Sequence, residues 1–149
     1  MKKRIFLFLC GCVALGLYAQ TARSMDELLD SKEISWETAA SFVLPAAGVL
    51  SESAGKAAAF AEARERGFLP KNAEASAPAR LDGVSLLIMK SFGIKGGLMY
   101  RMLKNSRYAY RELWYTRCLP ARSDPSFKLS GEDLLDILGK VLRTWGDGV

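Results

Sequence analysis

The chain carries one pattern twice, at a spacing of fifty residues. Residues 59–92 align with residues 109–142 without a gap, and each segment ends in an amphipathic stretch behind a proline-containing loop. A fixed spacing with shared loop chemistry is typical of tandem units that bury a common core. The identical pairs are Ala59 and Ala109, Glu62 and Glu112, Leu69 and Leu119, Pro70 and Pro120, Ser76 and Ser126, and Lys90 and Lys140. We predict helix–loop–helix repeat units at about residues 52–93 and 103–143, and two unrelated helix pairs are the alternative.

The periodicity of the remaining sequence favours helices throughout. No window alternates apolar and polar residues as a half-buried strand requires. We therefore predict an all-α domain over residues 34–149, with the tandem units packed around one core, preceded by an N-terminal segment at residues 20–33. The predicted helices are residues 35–44, 52–66, 82–92, 98–117 as one bent helix or two short ones, and a last helix that starts after Ser130 and carries an apolar stripe to Trp145.

Residues that begin or end helices stand at the boundaries of these segments. Ser35 and Ser130 are suited to N-caps, because a serine hydroxyl accepts a hydrogen bond from a free N–H of the first turn. Pro45 is expected to stop the first helix. Gly67 and Gly93 are expected just past helix ends, where a left-handed conformation is common.

Residues 1–19 have the layout of a secretory signal peptide. A basic start at residues 2–4 precedes an apolar run at residues 5–17, and cleavage is predicted near Ala19 or Ala22. An uncleaved membrane anchor is the alternative, although the run is shorter than the roughly 20 residues that span a bilayer. The segment Leu9-Cys10-Gly11-Cys12 also resembles a lipoprotein box, which would place a lipid on Cys12.

Charge and export limit the partners that we expect. Three of the 21 basic residues lie in the signal segment, which leaves 18 basic against 16 acidic residues. This near balance is an ordinary solvated surface, so we expect no nucleic-acid partner. We expect an exported protein of the periplasm or cell envelope, with membrane contact only if the signal is uncleaved or Cys12 is lipidated.

The residue inventory also restricts the available chemistry. The chain has no histidine, which removes histidine-based triads and histidine metal ligands. Cys118 is the one cysteine outside the signal segment, and its neighbour Leu119 favours a buried thiol over a nucleophile. No metal or cofactor motif is found, and the acidic residues Glu62, Glu65, Glu112 and Asp136 show no pairing typical of acid–base catalysis. We predict a non-enzymatic protein that serves in attachment or protein–protein interaction in the periplasm or at the cell wall, with a cell-wall polymer or an envelope protein as its partner. The alternatives are a small envelope hydrolase using Asp or Glu, or a lipoprotein accessory subunit of an envelope complex.

The stretch around residues 95–115 combines cations with aromatic residues. Tyr110 and Trp114 are four residues apart, which favours a packed helix face over a platform that stacks on sugars or peptides. The cations form either a solvated face or a contact with anionic peptidoglycan, lipid or a partner. They are Lys95, Arg101, Lys104, Arg107 and Arg111.

The repeated segments resemble the S-layer homology family. Gly67-Phe68-Leu69-Pro70 and Arg117-Cys118-Leu119-Pro120 are similar to the end of that family's long helix. The starts of its short helix are resembled by Ile34-Ser35-Trp36-Glu37-Thr38, Ala79-Arg80-Leu81-Asp82-Gly83 and Leu129-Ser130-Gly131-Glu132-Asp133. The resemblance covers residues 34 to about 143. It implies a pseudo-threefold cluster of helical units that attaches non-covalently to cell-wall polymers.

The motif positions differ from the family in one important respect. The resemblance assigns ligand binding to positions occupied here by Ser35, Ser130 and Asp133, whereas helix capping explains the same residues without a ligand. The motif arginine, which helps to hold the anionic glycan, is replaced by Trp36, Leu81 and Gly131. Since a guanidinium is the natural bidentate partner of carboxylate or phosphate, its loss puts the usual wall-polymer contact in doubt.

Overall fold

The computed structural model describes residues 23–121 and 123–146. Within these ranges the regular structure is helical and no strand forms, although single β-bridges join Ser35 to Pro78 and Arg80 to Lys128. The helices are α1 (residues 23–29), α2 (Trp36–Ala46), α3 (Lys56–Glu65), α4 (Leu81–Ser91), α5 (Leu98–Leu103), α6 (Ser106–Tyr115) and α7 (Gly131–Trp145). The prediction of an all-α fold is confirmed for this part of the chain.

Three helices begin around a closed ring of backbone hydrogen bonds. The N–H of Ile34 donates to the carbonyl of Leu129 (2.8 Å), that of Leu129 to the carbonyl of Ala79 (2.9 Å), and that of Ala79 to the carbonyl of Ile34 (2.8 Å). Each of these buried residues stands two positions before the first residue of α2, α4 or α7. Because buried backbone groups need partners, the ring holds the three helix starts at one point.

The turns that follow α3 and α6 use the same backbone hydrogen bonds, fifty residues apart. The N–H of Phe68 donates to the carbonyl of Ala63 (2.8 Å), and the N–H of Cys118 donates to the carbonyl of Leu113 (2.9 Å). Two later bonds also recur at this spacing: Ala73 to Pro70 and Ser123 to Pro120, then Ala77 to Glu74 and Phe127 to Asp124. The two loops therefore share these backbone hydrogen bonds despite their different side chains.

The core lies where the apolar faces of α2, α4 and α7 meet. Val43, Leu87 and Ile137 are among its fully buried side chains. Helix α3 packs against α2 and α6 packs against α4, so each outer helix covers the central helix that precedes it. Cys118 is also buried, as its apolar neighbour indicated.

The observed ends of α2 and α3 differ from the predicted ones. Helix α2 continues through Pro45 to Ala46, because the hydrogen bond from Ala47 N–H to Val43 O (3.0 Å) does not involve the N–H that proline lacks. Helix α3 begins at Lys56 and not at residue 52. The preceding residues 51–54 form a turn in which serine side chains bond locally, and such bonds compete with helix formation.

The other boundaries agree with the sequence to within about a residue. Ser35 and Ser130 cap α2 and α7, and Gly67 and Gly93 take positive φ just past α3 and α4. The segment at residues 98–117 forms two short helices. A left-handed residue, Lys104 (φ 42°), separates them, which excludes one continuous helix.

Several predictions fall on residues that the structure does not describe. The signal peptide at residues 1–19, its cleavage near Ala19 or Ala22 and the lipidation of Cys12 all lie outside the described residues. Among the helices of the described part, none has the length and apolar character needed to cross a membrane.

Candidate functional site: a basic groove beside α5

Ser35 and Ser130 lie at helix starts and act as caps. The Ser35 hydroxyl accepts a hydrogen bond from the N–H of Thr38 at the start of α2 (3.3 Å). At the start of α7, the Ser130 hydroxyl accepts from the N–H of Asp133 (3.1 Å) and donates to its carboxylate (2.7 Å). Ser130 and Asp133 thus form a capping box, while Ser35 belongs to another helix. Their hydrogen bonds are those of helix starts, and a role in ligand binding stays a prediction.

The positions at which the resemblance to the S-layer homology family would place an arginine are all buried. Trp36 and Leu81 are 5% and 4% exposed, and Gly131 is also buried. The indole of Trp36 lies over Gly83, where any added Cβ would collide with it. A guanidinium at these positions would be removed from water, so they do not present a clamp for an anionic polymer.

A groove of about 620 Å³ opens between the ends of α3 and α4 and the short helix α5. Phe68, Met89, Ile94 and Tyr100 give it an apolar wall, and its lining contains no carboxylate. Five cations line the groove: Arg66, Lys90, Lys95, Arg101 and Lys104. A concave surface with one sign of charge concentrates ligands of the opposite sign.

Within the described part of the chain, four of these five cations lack an acidic partner. Arg66 bonds Glu62 Oε1 at 2.6 Å, one turn earlier in the chain. Among the described residues, no carboxylate oxygen lies within 4.0 Å of the other four cationic side chains. Their positive charge is therefore available to a ligand.

Lys90 is the least solvated of the groove cations. Its Nζ donates to the carbonyl of Gly67 at 2.6 Å, which links the end of α4 to the end of α3. Burial and then the positive charge of Lys104 lower the pKa of Lys90. The mutual repulsion of two ammonium groups is a local imbalance that an anion would relieve.

Tyr100 attaches α5 to the body of the protein. It is the buried residue of that helix, and burial raises the pKa of its phenol to about 12.

The prediction of a packed Tyr110–Trp114 face on α6 is wrong for Trp114, which is 44% exposed and contacts Tyr115 edge-on. The buried stripe of α6 is centred on Ala109 and Leu113, so position 114 lies beyond its edge.

Carboxylates are dispersed among the cavities. A second cavity of about 430 Å³ is lined by Glu112 together with Thr116 and Trp145. A third, of about 210 Å³, is lined by Asp133 beside Phe127. Neither lining contains a second acidic residue, and no group of three or more His, Cys, Asp or Glu residues suited to a metal is found in the described part of the chain.

Sequence reasoning identified only part of the groove. Lys95, Arg101 and Lys104 were recognised as a basic segment, but Arg66 and Lys90 come from the ends of other helices. One signal was available, since Arg66 and Lys90 both belong to the predicted repeat unit at about residues 52–93. Comparison of the chain with models of known protein families, with curated proteins and with solved structures gives no match.

Proposed function

We propose that this protein is an exported, non-enzymatic protein of the bacterial cell envelope that attaches non-covalently to an anionic cell-wall polymer. The observation that carries the proposal is the groove beside α5, where Lys90, Lys95, Arg101 and Lys104 have no acidic partner among residues 23–121 and 123–146. Wall polymers display phosphate or carboxylate groups along a flexible chain. Several closely spaced cations bind such a chain better than isolated ones, because one polymer meets them all at once.

Two features support an S-layer-homology-like architecture. The hydrogen-bonded ring of Ile34, Ala79 and Leu129 relates the starts of three helices, as a pseudo-threefold cluster requires. The loop bonds that recur at a spacing of fifty residues are those expected of repeated units. Signal-directed export rests on the layout of residues 1–19 alone.

The proposed contact differs from the one that the resemblance implies. The motif arginine is absent and its three positions are buried, so the polymer would be held elsewhere. The groove supplies positive charge beside the opposite end of one of these helices, because Lys90 lies at the end of α4 whereas Leu81 begins it. In this proposal the attachment surface lies beside α5 and the end of α4, and not at the helix starts where the resemblance expects it.

Co-sedimentation with purified, detergent-extracted cell walls tests this proposal. We expect the protein to pellet at low salt and to be released as salt screens the charges. The groove variant combines Lys90→Gln, Lys95→Gln, Arg101→Gln and Lys104→Gln. At the usual strength of surface ionic contacts, about 0.2–1 kcal/mol each, the loss of four should weaken binding between about fourfold and several hundredfold.

A matched control removes the same number and type of charges elsewhere. The exposed residues Lys32, Lys56, Lys71 and Arg143 lie away from the groove, and their replacement by Gln changes the net charge equally. This control should pellet nearly as the natural protein does. Failure of the natural protein to pellet at low salt, or an equal loss in both variants, would contradict attachment through the groove.

A further inference from the structure

The short helix α5 exposes almost all of its apolar surface. The exposed fractions are 70% for Leu98, 55% for Met99, 71% for Met102 and 55% for Leu103. Tyr100 alone points into the protein. Four large apolar side chains exposed within six residues form a continuous patch, and such patches mark surfaces that contact something other than water.

The chain presents α5 as a projection from the domain. Gly96 takes positive φ (57°) immediately before it, and a side chain there would meet the ring of Tyr100. Lys104 takes the left-handed conformation at its other end (φ 42°), and Asn105 then caps α6. The helix packs against α6 and is otherwise held by Tyr100, so its apolar side faces outward.

Positive charge surrounds the apolar patch. The sequence has no acidic residue between Asp82 and Glu112, while Lys95, Arg101 and Lys104 are exposed beside the patch. The Glu112 carboxylate lies against Gly97 at the start of α5 and lines the neighbouring cavity. An apolar face with a cationic rim is the combination that binds anionic lipid surfaces.

We propose that α5 inserts its four exposed apolar side chains into the headgroup region of an anionic bilayer, while the flanking cations contact lipid phosphates. A second copy of the chain fits this surface less well, because pairing through it would bring Arg101 and Lys104 of both copies together. A polyanion alone would leave Leu98 and Met102 in water. The inference goes beyond wall attachment and does not depend on it.

A fluorophore placed on α5 tests the proposal in the full chain. Met99→Cys is labelled with a polarity-sensitive dye after Cys10 and Cys12 are changed to Ala, since Cys118 is buried. Vesicles of phosphatidylglycerol and phosphatidylcholine should shift the emission to the blue, and pure phosphatidylcholine should do so far less. Because the dye reports only its own surroundings, vesicle binding through the apolar residues 5–17 does not imitate this result.

The matched control carries the dye on Phe127→Cys, at an equally exposed apolar position (56%) away from α5. It should show no blue shift. Adding Leu98→Ser and Met102→Ser to the Met99→Cys chain should weaken vesicle binding at α5 at least about tenfold, since two apolar side chains lose their burial. Arg101→Gln with Lys104→Gln should weaken it as well and reduce its dependence on salt.

The proposal is overturned if the dye at position 99 does not respond to anionic vesicles, or if positions 99 and 127 respond alike. A blue shift without vesicles that grows with protein concentration would assign the patch to a second copy instead. The vesicles contain no wall polymer and the detergent-extracted walls contain no lipid. Bilayer insertion and wall attachment can therefore fail independently.

Discussion

The carbonyl oxygen of Leu28 occupies the space that a side chain at position 131 would need. A Cβ built on Gly131 would overlap this oxygen, and the Gly131 N–H donates to the carbonyl of Ser31 at 2.9 Å. The end of α1 thus passes directly over the first residue of α7. Glycine is required at this position, where the sequence resemblance would place an arginine, by the close approach of the two backbones.

Replacing Gly131 by alanine should therefore destabilise the protein. The backbone of α1 must move away from α7, and we expect a loss of about 2–3 kcal/mol in the free energy of unfolding. Urea denaturation followed by circular dichroism measures this loss. Gly139→Ala is the control in the same helix, because its Cβ would meet only the end of Arg143; it should stabilise the protein by about 0.5–1 kcal/mol. Equal effects of the two substitutions would contradict the contact with Leu28.

Arg117→Gly should stabilise the protein. Arg117 has φ 59° just past α6, where the equivalent residue past α3 is Gly67 with φ 67°. A side chain in this conformation costs about 1–2 kcal/mol, and the greater freedom of glycine in the unfolded chain offsets part of the gain. We expect a net increase of up to about 1 kcal/mol in the free energy of unfolding, measured by thermal or urea denaturation. The reciprocal change, Gly67→Ala, should destabilise by a similar amount, and a destabilised Arg117→Gly chain would show that the arginine has an additional role there.

Ser130→Ala separates helix capping from ligand binding. The variant loses the hydrogen bond to the Asp133 N–H, so the free energy of unfolding should fall by about 1 kcal/mol. If capping is the whole role of Ser130, the affinity for purified walls at a temperature where both proteins are folded stays unchanged. Ser53→Ala, in an exposed turn, is the control for stability. A loss of wall binding without a loss of stability would restore the ligand-binding interpretation of Ser130.

The protonation of Tyr100 makes stability depend on pH in the alkaline range. Burial raises the pKa of its phenol from 10.0 to about 12, so the folded protein holds this proton more tightly than the unfolded chain does. The resulting stabilisation is present below pH 10 and is lost as the pH rises from 10 towards 12. We expect Tyr100→Phe to lose less stability than the natural protein across this window.

The other ionisable groups are the same in the natural protein and in the Tyr100→Phe variant. Lys90 acts in the opposite direction: its lowered pKa destabilises the folded state at lower pH, and this effect is relieved as the pH rises towards 10.5. Its contribution cancels when the two unfolding curves are subtracted. Identical pH dependence in the two proteins would show that Tyr100 ionises as freely in the folded state as in the unfolded chain.

Local sequence signals located most of the helices and failed where the backbone had several choices. The caps Ser35 and Ser130 were found because a serine ahead of an apolar stripe has one common use. The prediction that Pro45 ends α2 is wrong, since a proline in the last turn removes only its own hydrogen bond. The sequence of residues 98–117 is compatible with one helix or with two, because the left-handed turn at Lys104 has no glycine to mark it.

The candidate groove shows a different limit. Its cations at positions 95, 101 and 104 are close in sequence and were visible as a basic segment. Arg66 and Lys90 join them only because the ends of α3 and α4 meet, through the bond from Lys90 to Gly67. The relation of the repeats to the S-layer homology family and the export of the chain stay predictions.

The sequence by itself determined the helical class, the caps and the spacing of the repeated loops, since periodicity and capping depend on neighbours within a few residues. Only the tertiary structure decided how the three central helices meet. The ring that joins Ile34, Ala79 and Leu129 links residues 45 to 95 positions apart. Its hydrogen bonds join backbone groups, so the side chains at these positions do not predict it. The tertiary structure also placed the cations of distant helices around one groove and left the apolar side of α5 uncovered. These outcomes depend on which backbone groups and surfaces are buried together, a property of the whole packed chain and not of any segment in it.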